Sequence, residues 1–526
     1  MKKSIYAWAI ATMAAVACSA APTGLEFPAD SYKDVTLTYN GKEVSFRYYQ
    51  NIYYVTNVVD SVYQKMNVYV PAEYFRGESV NGYTAETAPI FLYHKIAGYT
   101  AAKATTLASA ARRMGPRPEG RPQGGPGMGP GGPQGRPGMG PGGPQGGPRG
   151  PMGGPGSEPE DENLIPKEVT DSPNHPFMPL AALSRGYVVA APAARGRENT
   201  NGRAPAALVD LKAAVRYLKF NDAAMPGDAG KIVSDGTSAG GAMSSLLGAT
   251  GNHPDYEPYL TALGAAPATD DIFAAQAYCP ITNLDHADAA YEWMFGRLDV
   301  AQHGEITPEM KAVSQELAAQ FPEYVNSLGF KSLRNETLTL EADGTGSFLG
   351  WACHFLRESA QEQIDGGVDL SGYDWLEIKD GKVGEIDFDK YVAFCGRKKT
   401  PVAFDAFDLS SAENNEFGTD TIEHQHFTAY SFAHSTAEDA TMADAKLIHM
   451  MNPMNYVADS QAATAPHWRI CHGTKDSDTA MAIPLLLATN LQNNGFDVIF
   501  RMTWDQPHGG DYDTEAQFDW IDSLCK

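Results

Sequence analysis

Apolar residues in the first hundred positions occur in short runs that are separated by polar residues and turns. The runs DVTLTYN and KEVSFRYYQNI flank Asn40-Gly41, a dipeptide typical of a tight hairpin between two strands. KMNVYVP and APIFLYH are further short apolar runs, and AAKATTLASAARRM after them has a helix-forming composition. The pattern therefore predicts several strands followed by a helix.

Strand and helix patterns alternate in the middle of the chain. GYVVAAPAARGR predicts a strand that runs into a loop, and KIVSDGTSAGGAMSSLLG predicts a strand, a sharp turn and a helix. After IFAAQAYCPIT the pattern becomes mixed and polar for roughly 170 residues, and it resumes with HWRICHG, AIPLLLATNLQNNG and DVIFRM. Such alternation predicts a parallel α/β sheet. PAALVDLKAAVRYLKF, between the first two strands, places four residues on one helical face: Leu208, Leu211, Val215 and Leu218.

The chain changes character between Gly115 and Gly156. GMGPGGPQGRP is followed directly by GMGPGGPQGGP, and glycine does not recur at every third position, so the repeat is not collagen-like. Residues 115–156 offer almost nothing to bury, so we expect a disordered Gly/Pro-rich surface loop. Its arginines would suit a tether to an acidic partner. A tolerated insertion is the simpler interpretation, because long flexible loops cost little closure entropy.

Residues 1–21 have the pattern of an export signal. Lys2 and Lys3 precede an apolar stretch, residues 5–17, that is too short to span a bilayer. Two cleavage patterns remain open: AVA before Cys18 resembles a lipoprotein box with alanine in place of the usual leucine, whereas Ala-x-Ala cleavage would release a soluble protein. We therefore expect an exported bacterial protein that is periplasmic, extracellular or lipid-anchored, and in the lipid-anchored case a lipid on Cys18 is the only membrane attachment that we expect.

The composition narrows the possible partners. The chain has 526 residues, of which 43% are hydrophobic, and a net charge of −24. Such an acidic surface repels phosphate backbones, so nucleic acid is not expected. No cysteine or histidine spacing typical of zinc occurs, and we expect neither a metal nor another cofactor. Cys279 and Cys471 lie in apolar runs, which predicts that they are buried small hydrophobic residues.

Gly236-Thr237-Ser238-Ala239-Gly240 has the Gly-x-Ser-x-Gly form of a nucleophile elbow. In such an elbow a serine stands on a strained turn between a strand and a helix, and small flanking residues let the two elements approach closely. The pentapeptide alone occurs in many proteins. Its position after an apolar strand and before a helix makes Ser238 the candidate nucleophile.

A serine hydroxyl needs a base, and the base needs an orienting acid. In α/β-hydrolases these residues follow in the order serine, acid, histidine, on loops after later strands. Asp476 follows the predicted strand HWRICHG, and His508 follows DVIFRM, so both stand where that order requires. His472 is too near Asp476 along the chain to reach Ser238, and we interpret it as structural.

An oxyanion hole is also required for acyl transfer. One donor should be the backbone N–H of Ala239, directly after the nucleophile. The second should come from the loop after APIFLYH, at Gly98 or the adjacent Ala97. The loop is better specified than the residue within it.

The number of residues between Ser238 and Asp476 far exceeds the number that a minimal hydrolase core needs. We therefore assign residues 30–284 and 456–526 to an α/β-hydrolase core and residues 285–455 to a lid domain. Long insertions at this point usually cover the site and select the substrate.

Four segments together resemble bacterial tannases of the subtype B group, which are serine esterases that release gallic acid from galloyl esters. They are GTSAGGAMSSLLGATGN, AYCPITNLDHADAAYEW, TPVAFDAFDLSSAENNEFGT and RICHGTKDSDTA with WDQPHGGDYD. The resemblance covers most of the chain from about Tyr49 onward, without the signal peptide and the Gly/Pro-rich insertion. The Asp-x-Asp after His-Gly-Thr and the AENNEFG segment are its most specific parts.

The resemblance implies roles for three residues beyond the triad. In that family a lysine, a glutamate and the second aspartate of Asp-x-Asp bind the three hydroxyls of the galloyl ring. The matching positions here are Lys399, Glu413 and Asp478, and Lys398 remains open as an alternative to Lys399. Without the resemblance, Lys399 would read as a solvated charge, and Asp478 as a cap of the following helix.

The expected function is hydrolysis of galloyl or protocatechuoyl esters, with a small-molecule phenolic ester as the partner. Two alternatives stay open: an esterase for another phenolic acid, of the feruloyl or chlorogenate type, and a non-catalytic surface binding protein on the same fold. A prolyl-type peptidase is disfavoured because no propeller repeat is visible. The Ser-Asp-His order argues against a purely binding role.

Deletion of residues 115–156, with a short Gly/Ser bridge, should leave the melting temperature and the kcat on a small soluble ester almost unchanged. The reason is that this segment has few side chains that could be buried. Thermal unfolding and initial rates on both proteins test this. A large loss in either property would mean that the insertion packs against the folded protein.

Overall fold

The computed structural model describes residues 24–113, 164–172, 175–302 and 304–526, with the backbone alone for residues 111–113. The expected signal peptide at 1–21, Cys18 and the Gly/Pro-rich insertion at 115–156 lie outside the described residues. None of the helices within those ranges combines the length and the hydropathy needed to cross a membrane.

Within the described ranges, ten strands form one sheet, in the order β14-β13-β8-β7-β4-β6-β3-β2-β1-β5. Two short hairpins, β9–β10 and β11–β12, lie outside it. The strands in chain order are β1 Lys33–Tyr39, β2 Lys42–Tyr53, β3 Lys65–Pro71, β4 Pro89–Tyr93, β5 Glu168–Val169, β6 Val188–Pro192, β7 Asp228–Thr237, β8 Ala274–Tyr278, β9 Val300–Ala301, β10 Gly304–Glu305, β11 Leu376–Lys379, β12 Lys382–Ile386, β13 His467–Gly473 and β14 Asp497–Thr503.

Neighbouring strands are parallel in the part of the sheet that runs β14-β13-β8-β7-β4-β6. The pairs β6–β3, β3–β2 and β2–β1 are antiparallel. Strands β4, β6 and β8 are buried at every position, as expected for parallel strands covered by helices on both faces. The parallel α/β sheet predicted from the alternating pattern is confirmed, and so is the hairpin at Asn40-Gly41.

Fourteen α-helices occur among the described residues. They are α1 Leu107–Arg113, α2 Met178–Arg185, α3 Ala206–Phe220, α4 Ala239–Ala249, α5 Glu257–Leu263, α6 Ala287–Phe295, α7 Pro308–Leu328, α8 Ser347–Asp365, α9 Phe388–Cys395, α10 Ala412–Glu416, α11 Ala429–Ala433, α12 Ala445–Met450, α13 Ala482–Asn493 and α14 Thr514–Cys525. One residue separates the end of β7 from the start of helix α4, at the carboxyl end of the sheet, and α4 packs on β7 and β8.

The segment between β8 and β13 contains more regular secondary structure than its mixed pattern of hydrophobic and polar residues suggested. It contains the 21-residue helix α7 and the 19-residue helix α8. Thr307 caps α7, because its hydroxyl accepts a hydrogen bond from the Met310 N–H at 3.2 Å. An aromatic cluster around Trp293 holds α6, α7, α8 and α9 together. The boundaries of a lid domain at 285–455 stay a prediction.

Substitution by alanine should have opposite effects on thermal stability at two helical glycines. A Cβ at Gly248 in α4 would lie 2.7 Å from Trp468 and 2.9 Å from Ala275, both buried, whereas Gly350 in α8 has open space around it. Gly248→Ala should lower the melting temperature through overpacking that costs about 1–3 kcal/mol. Gly350→Ala should raise it slightly, because alanine is the better helix former by about 1 kcal/mol. Thermal unfolding of both variants tests this, and a stabilised Gly248→Ala protein would contradict the packing.

Candidate active site

Ser238 stands alone between the end of β7 and the start of α4. Its backbone has φ 60° and ψ −122°, a combination that L-residues rarely adopt and that is common at functional turns. The Ser238 N–H donates to the Tyr278 carbonyl at 2.9 Å, which ties the turn to the neighbouring strand β8. The side chain is therefore presented at the carboxyl edge of the sheet, where ligands of parallel α/β sheets usually bind.

The glycines around Ser238 are required by close packing. A Cβ on Gly236 would lie 2.3 Å from the Gly240 carbonyl oxygen and 2.7 Å from the ring of His94. A Cβ on Gly240 would lie 2.5 Å from the Ile96 carbonyl oxygen. Any larger residue at either position would push the loop after β4 away from the elbow.

The structure brings Ser238, His508 and Asp476 into one hydrogen-bonded chain. The Ser238 hydroxyl lies 2.9 Å from His508 Nε2, and His508 Nδ1 lies 2.8 Å from Asp476 Oδ2. The three residues follow β7, β14 and β13, all at the carboxyl edge of the sheet. The geometry is that of a nucleophile, a base and an orienting acid.

The charges of Asp476 and His508 stabilise each other. Burial opposes ionisation of the Asp476 carboxyl, but the charges of His508 and His472 and hydrogen bonds from His508 and Thr479 hold its pKa well below its usual range. Burial also lowers the pKa of His508, but the Asp476 charge, aided by Cys279 and by the hydrogen bond to Asp476, raises it well above its usual value overall.

The two aspartates of the loop after β13 have different partners. The Asp476 carboxylate is fully buried and accepts hydrogen bonds from the backbone N–H groups of Asp478 and Thr479 as well as from His508. The Asp478 carboxylate instead accepts from Lys398 Nζ at 2.5 Å. Helix α13 begins at Ala482 with Met481 as its cap and no side-chain capping bond, so the alternative that Asp478 caps this helix is wrong.

Of the two predicted oxyanion positions, Ala239 directly follows Ser238, and Gly98 lines the same cavity as Ser238. Ala239 is the first residue of α4, where backbone N–H groups have no partner within the helix. Gly98 lies in a tight turn closed by the Thr100 N–H and the Ala97 carbonyl at 3.0 Å, and both Gly98 and Tyr99 have positive φ. Arg197 Nε donates to the Gly98 carbonyl at 2.7 Å and holds the turn. The choice of Gly98 or Ala97 as donor stays a prediction.

Ser238 opens into a cavity of about 510 Å³. The loops after β4, β7, β13 and β14 line it, together with residues of the segment between β8 and β13. All three residues expected to bind a ring are among its lining residues, as is the alternative lysine: Lys398, Lys399, Glu413 and Asp478. Residues distant in the chain thus share one pocket with Ser238.

The two lysines face the pocket differently. Lys398 forms the direct ion pair with Asp478, whereas Lys399 Nζ lies 4.0 Å from Asp478 and 4.2 Å from the centroid of the Phe404 ring. Burial raises the pKa of Glu413, and the charges of Lys399 and Arg197 offset part of that rise. One wall of the cavity therefore combines two cations, two carboxyl groups and an aromatic face, which suits a ring that carries several hydroxyl groups.

Structural comparison reveals the family. The tannin acyl hydrolase of Lactobacillus plantarum has 38% sequence identity and a TM-score of 0.79, with 95% of this chain and 99% of that chain covered. The tannase of Fusobacterium nucleatum has 39% identity and a TM-score of 0.78 over the same shares. The chain belongs to the tannase family. A tannin acyl hydrolase solved in complex with ethyl gallate also matches, at 38% identity, a TM-score of 0.80, and 95% and 99% coverage.

Other comparisons agree with this assignment at lower coverage. The family model described as BD-FAE matches residues 169–296, the region of the nucleophile elbow. Carboxylesterase NlhH of Mycobacterium tuberculosis is 27% identical over 137 residues, which span 25% of this chain and 43% of the esterase. The chain thus matches less than half the length of that curated relative. The α/β-hydrolase fold, the resemblance to tannases and the assignment as a carboxylic-ester hydrolase are confirmed.

Sequence reasoning missed the contacts of two residues beside Ser238, His508 and Asp476. Cys279 is buried as predicted, but its thiol donates to the Gly509 carbonyl at 3.1 Å, beside His508. His94 packs under the elbow with Nε2 3.1 Å from the Ser244 hydroxyl, and burial lowers its pKa to about 4, so the ring is neutral. The positive φ of Cys279 and the position of His94 are tertiary features that no local pattern indicates.

Among the described residues, one group has ligand atoms close enough together for a metal, with all three within 4.8 Å: Cys279, Asp476 and His508. Asp476 and His508 already bond to each other, so this group is accounted for by the hydrogen-bonded chain. His472 lies beside it, with its Nδ1 3.7 Å from Asp476 and neither ring nitrogen hydrogen-bonded within the described part of the chain. The expectation of no metal and no cofactor stays a prediction.

The pH profile of ester hydrolysis should depend on the charge of Asp476. His508 must be neutral to accept the serine proton, so kcat/KM should fall as pH drops through the pKa of His508. Asp476→Asn removes the charge that raises this pKa, so the acid limb should move to lower pH while kcat falls. The control is Asp497→Asn, which breaks an exposed Asp–His contact at His467 and should leave the profile unchanged. An acid limb that stays in place or rises in Asp476→Asn would contradict this account.

Proposed function

We propose that the protein hydrolyses galloyl esters through an acyl-enzyme on Ser238. The observation that carries this proposal is the shared pocket: a Ser–His–Asp chain opens onto a wall that carries Lys398, Lys399, Glu413 and Asp478. Membership of the tannase family supports the same reaction, and a related tannin acyl hydrolase binds ethyl gallate.

The reaction proceeds in two halves. His508 Nε2 accepts the hydroxyl proton of Ser238 as the oxygen attacks the ester carbonyl, and the backbone N–H groups near Ala239 and Gly98 stabilise the resulting oxyanion. The tetrahedral intermediate collapses, the alcohol leaves with the proton from His508, and a galloyl-serine ester remains. Water then attacks this ester and gives a proton to His508, the second tetrahedral intermediate collapses as His508 returns the proton to the Ser238 oxygen, and the product leaves as gallic acid, which ionises to gallate. Asp476 stays ionised and stabilises the imidazolium in both halves.

The charged wall of the pocket, formed by Lys398, Lys399, Phe404, Glu413 and Asp478, selects the acyl group. Phenolic hydroxyls donate hydrogen bonds to the carboxylate of Asp478 and to Glu413, while Lys399 donates to a phenolic oxygen. Phe404 offers an apolar face to the ring. An ester without ring hydroxyls leaves these partly buried charges without ligand partners, so the pocket discriminates against it more strongly than an apolar pocket would.

The direct test is a comparison of three esters. Methyl gallate and methyl protocatechuate should be hydrolysed with far higher kcat/KM than methyl ferulate, whose longer acrylic spacer displaces the ring from the charged wall. Ser238→Ala should lower kcat by a factor on the order of 10⁶ without loss of fold. A preference for methyl ferulate would favour the second candidate, a feruloyl-type esterase. No hydrolysis of any ester, together with no labelling by a fluorophosphonate, would favour a binding protein.

The cellular location is part of the proposal. The basic and apolar pattern of residues 1–21 supports export, and Cys18 offers a site for a lipid anchor. An exported enzyme would meet plant-derived phenolic esters outside the cytoplasm. Mass measurement of the mature N-terminus distinguishes a lipid-modified Cys18 from cleavage after a nearby alanine.

Replacement of each of the two neighbouring aspartates by asparagine should impair a different property of the enzyme. Asp476→Asn should reduce kcat on every ester, because the base loses its orienting acid. Asp478→Asn should mainly reduce the preference for methyl gallate over a 4-nitrophenyl ester without ring hydroxyls, by about 1–3 kcal/mol for a lost hydrogen bond to a charged group. Measured kcat/KM values for both substrates in both variants test this. Equal losses on the two substrates for Asp478→Asn would reject its role in ring recognition.

A further inference from the structure

One buried hydroxyl joins the two chain segments that form the charged wall. The Tyr291 hydroxyl, on α6, accepts the backbone N–H of Lys398 at 3.2 Å and that of Lys399 at 2.9 Å. It donates to the carbonyl of Ser477 at 2.9 Å. Ser477 stands between Asp476 and Asp478, so a single oxygen atom connects the lysine pair to the Asp-x-Asp loop.

These contacts use the full capacity of a phenol, which has one proton to donate and two lone pairs to accept. The Tyr291 side chain is completely buried, and this burial raises its pKa above the usual value, so the hydroxyl keeps its proton at neutral pH. Its ring packs against Phe295 and meets the edge of Phe404, the aromatic wall of the pocket. The residue is therefore rigid and touches three parts of the ring-binding wall from behind.

We propose that Tyr291 is a positioning residue for acyl-group selectivity. Its hydroxyl sets the separation between the Lys398–Lys399 backbone and the loop that carries Asp478, and thereby the spacing of the groups that bind the ring hydroxyls. This inference rests on the proposed galloyl esterase function. Tyr291 does not line the cavity and acts through the residues that do.

The triad depends less on Tyr291 than the ring-binding wall does. The Asp476 carboxylate is held by its own bonds to His508, to Thr479 and to the N–H of Asp478. By contrast, the described structure shows the Lys398 and Lys399 N–H groups bonding to Tyr291. Loss of the hydroxyl leaves these two donors without their acceptor and lets the lysine backbone shift. Displacements of even about 1 Å are costly in a preorganised site.

The experiment compares Tyr291→Phe with Tyr256→Phe. Tyr256 is a matched control because it is also fully buried and its hydroxyl donates to one backbone carbonyl, that of Met450 at 2.6 Å, outside the pocket. We measure kcat and KM on methyl gallate and methyl benzoate, which share a leaving group, at a temperature where circular dichroism shows every variant to be folded. Tyr291→Phe should lower the gallate-to-benzoate ratio of kcat/KM about tenfold, and Tyr256→Phe should leave the ratio unchanged.

A second comparison separates positioning from general destabilisation. In a protein that carries Lys398→Met and Lys399→Met together, Tyr291→Phe should change the ratio less than about twofold, because the spacing between the lysine side chains and Asp478 that Tyr291 sets then has no lysine ammonium on one side. An equal loss on both esters, an unchanged ratio, or a tenfold effect that persists without the lysines would each overturn the inference. Failure of the underlying function looks different: the unmodified protein itself would then show no preference for methyl gallate.

Discussion

The buried carboxylate of Asp476 is the group on which the rest of the site depends. It sits at the carboxyl end of β13, where it orients His508 toward Ser238 and also accepts the backbone N–H groups of Asp478 and Thr479. An unpaired charge at full burial would cost several kcal/mol, so these bonds must form together. One consequence is that the direction of the chain after Asp476 is fixed, and Asp478 is presented to the pocket rather than to the triad.

The loop after β13 contributes Asp478 to the charged wall of the pocket, and the other residues of that wall come from the segment between β8 and β13. Its helices pack through their own aromatic cluster around Trp293, and the Asp288 carboxylate on α6 holds the chain at Phe404 through backbone N–H groups. Lys398, Lys399 and Glu413 reach the pocket from this segment. On the proposed function, catalysis and selectivity would come from separate parts of the chain, which meet at Asp476 and Asp478.

The sequence was most informative where chemistry imposes a local pattern. A strained serine needs small neighbours, so Gly236 and Gly240 marked Ser238, and the positions of Asp476 and His508 after their strands marked the acid and the base. The long helices α7 and α8 were not predicted, although the Thr307 cap, the following Pro308 and the spacing of Leu317, Phe321 and Val325 mark the first of them. The contacts of Cys279, His94 and Tyr291 were beyond sequence reasoning, because each depends on strands and helices that meet only in the folded chain. Lys398 and Lys399 are adjacent in the chain, so the sequence could not show which of them forms the direct ion pair with Asp478. The structure shows that Lys398 does.

The central claim is that Ser238 carries the galloyl group during turnover. The most direct measurement is mass spectrometry of the protein after rapid mixing with methyl gallate and an acid quench within the first turnover, followed by peptide mapping. We expect a mass increase of one galloyl group on the peptide that contains Ser238, which disappears on longer incubation and never forms in Ser238→Ala. A galloyl adduct on another residue, or turnover of methyl gallate with no adduct at any quench time and no burst of methanol, would contradict the account.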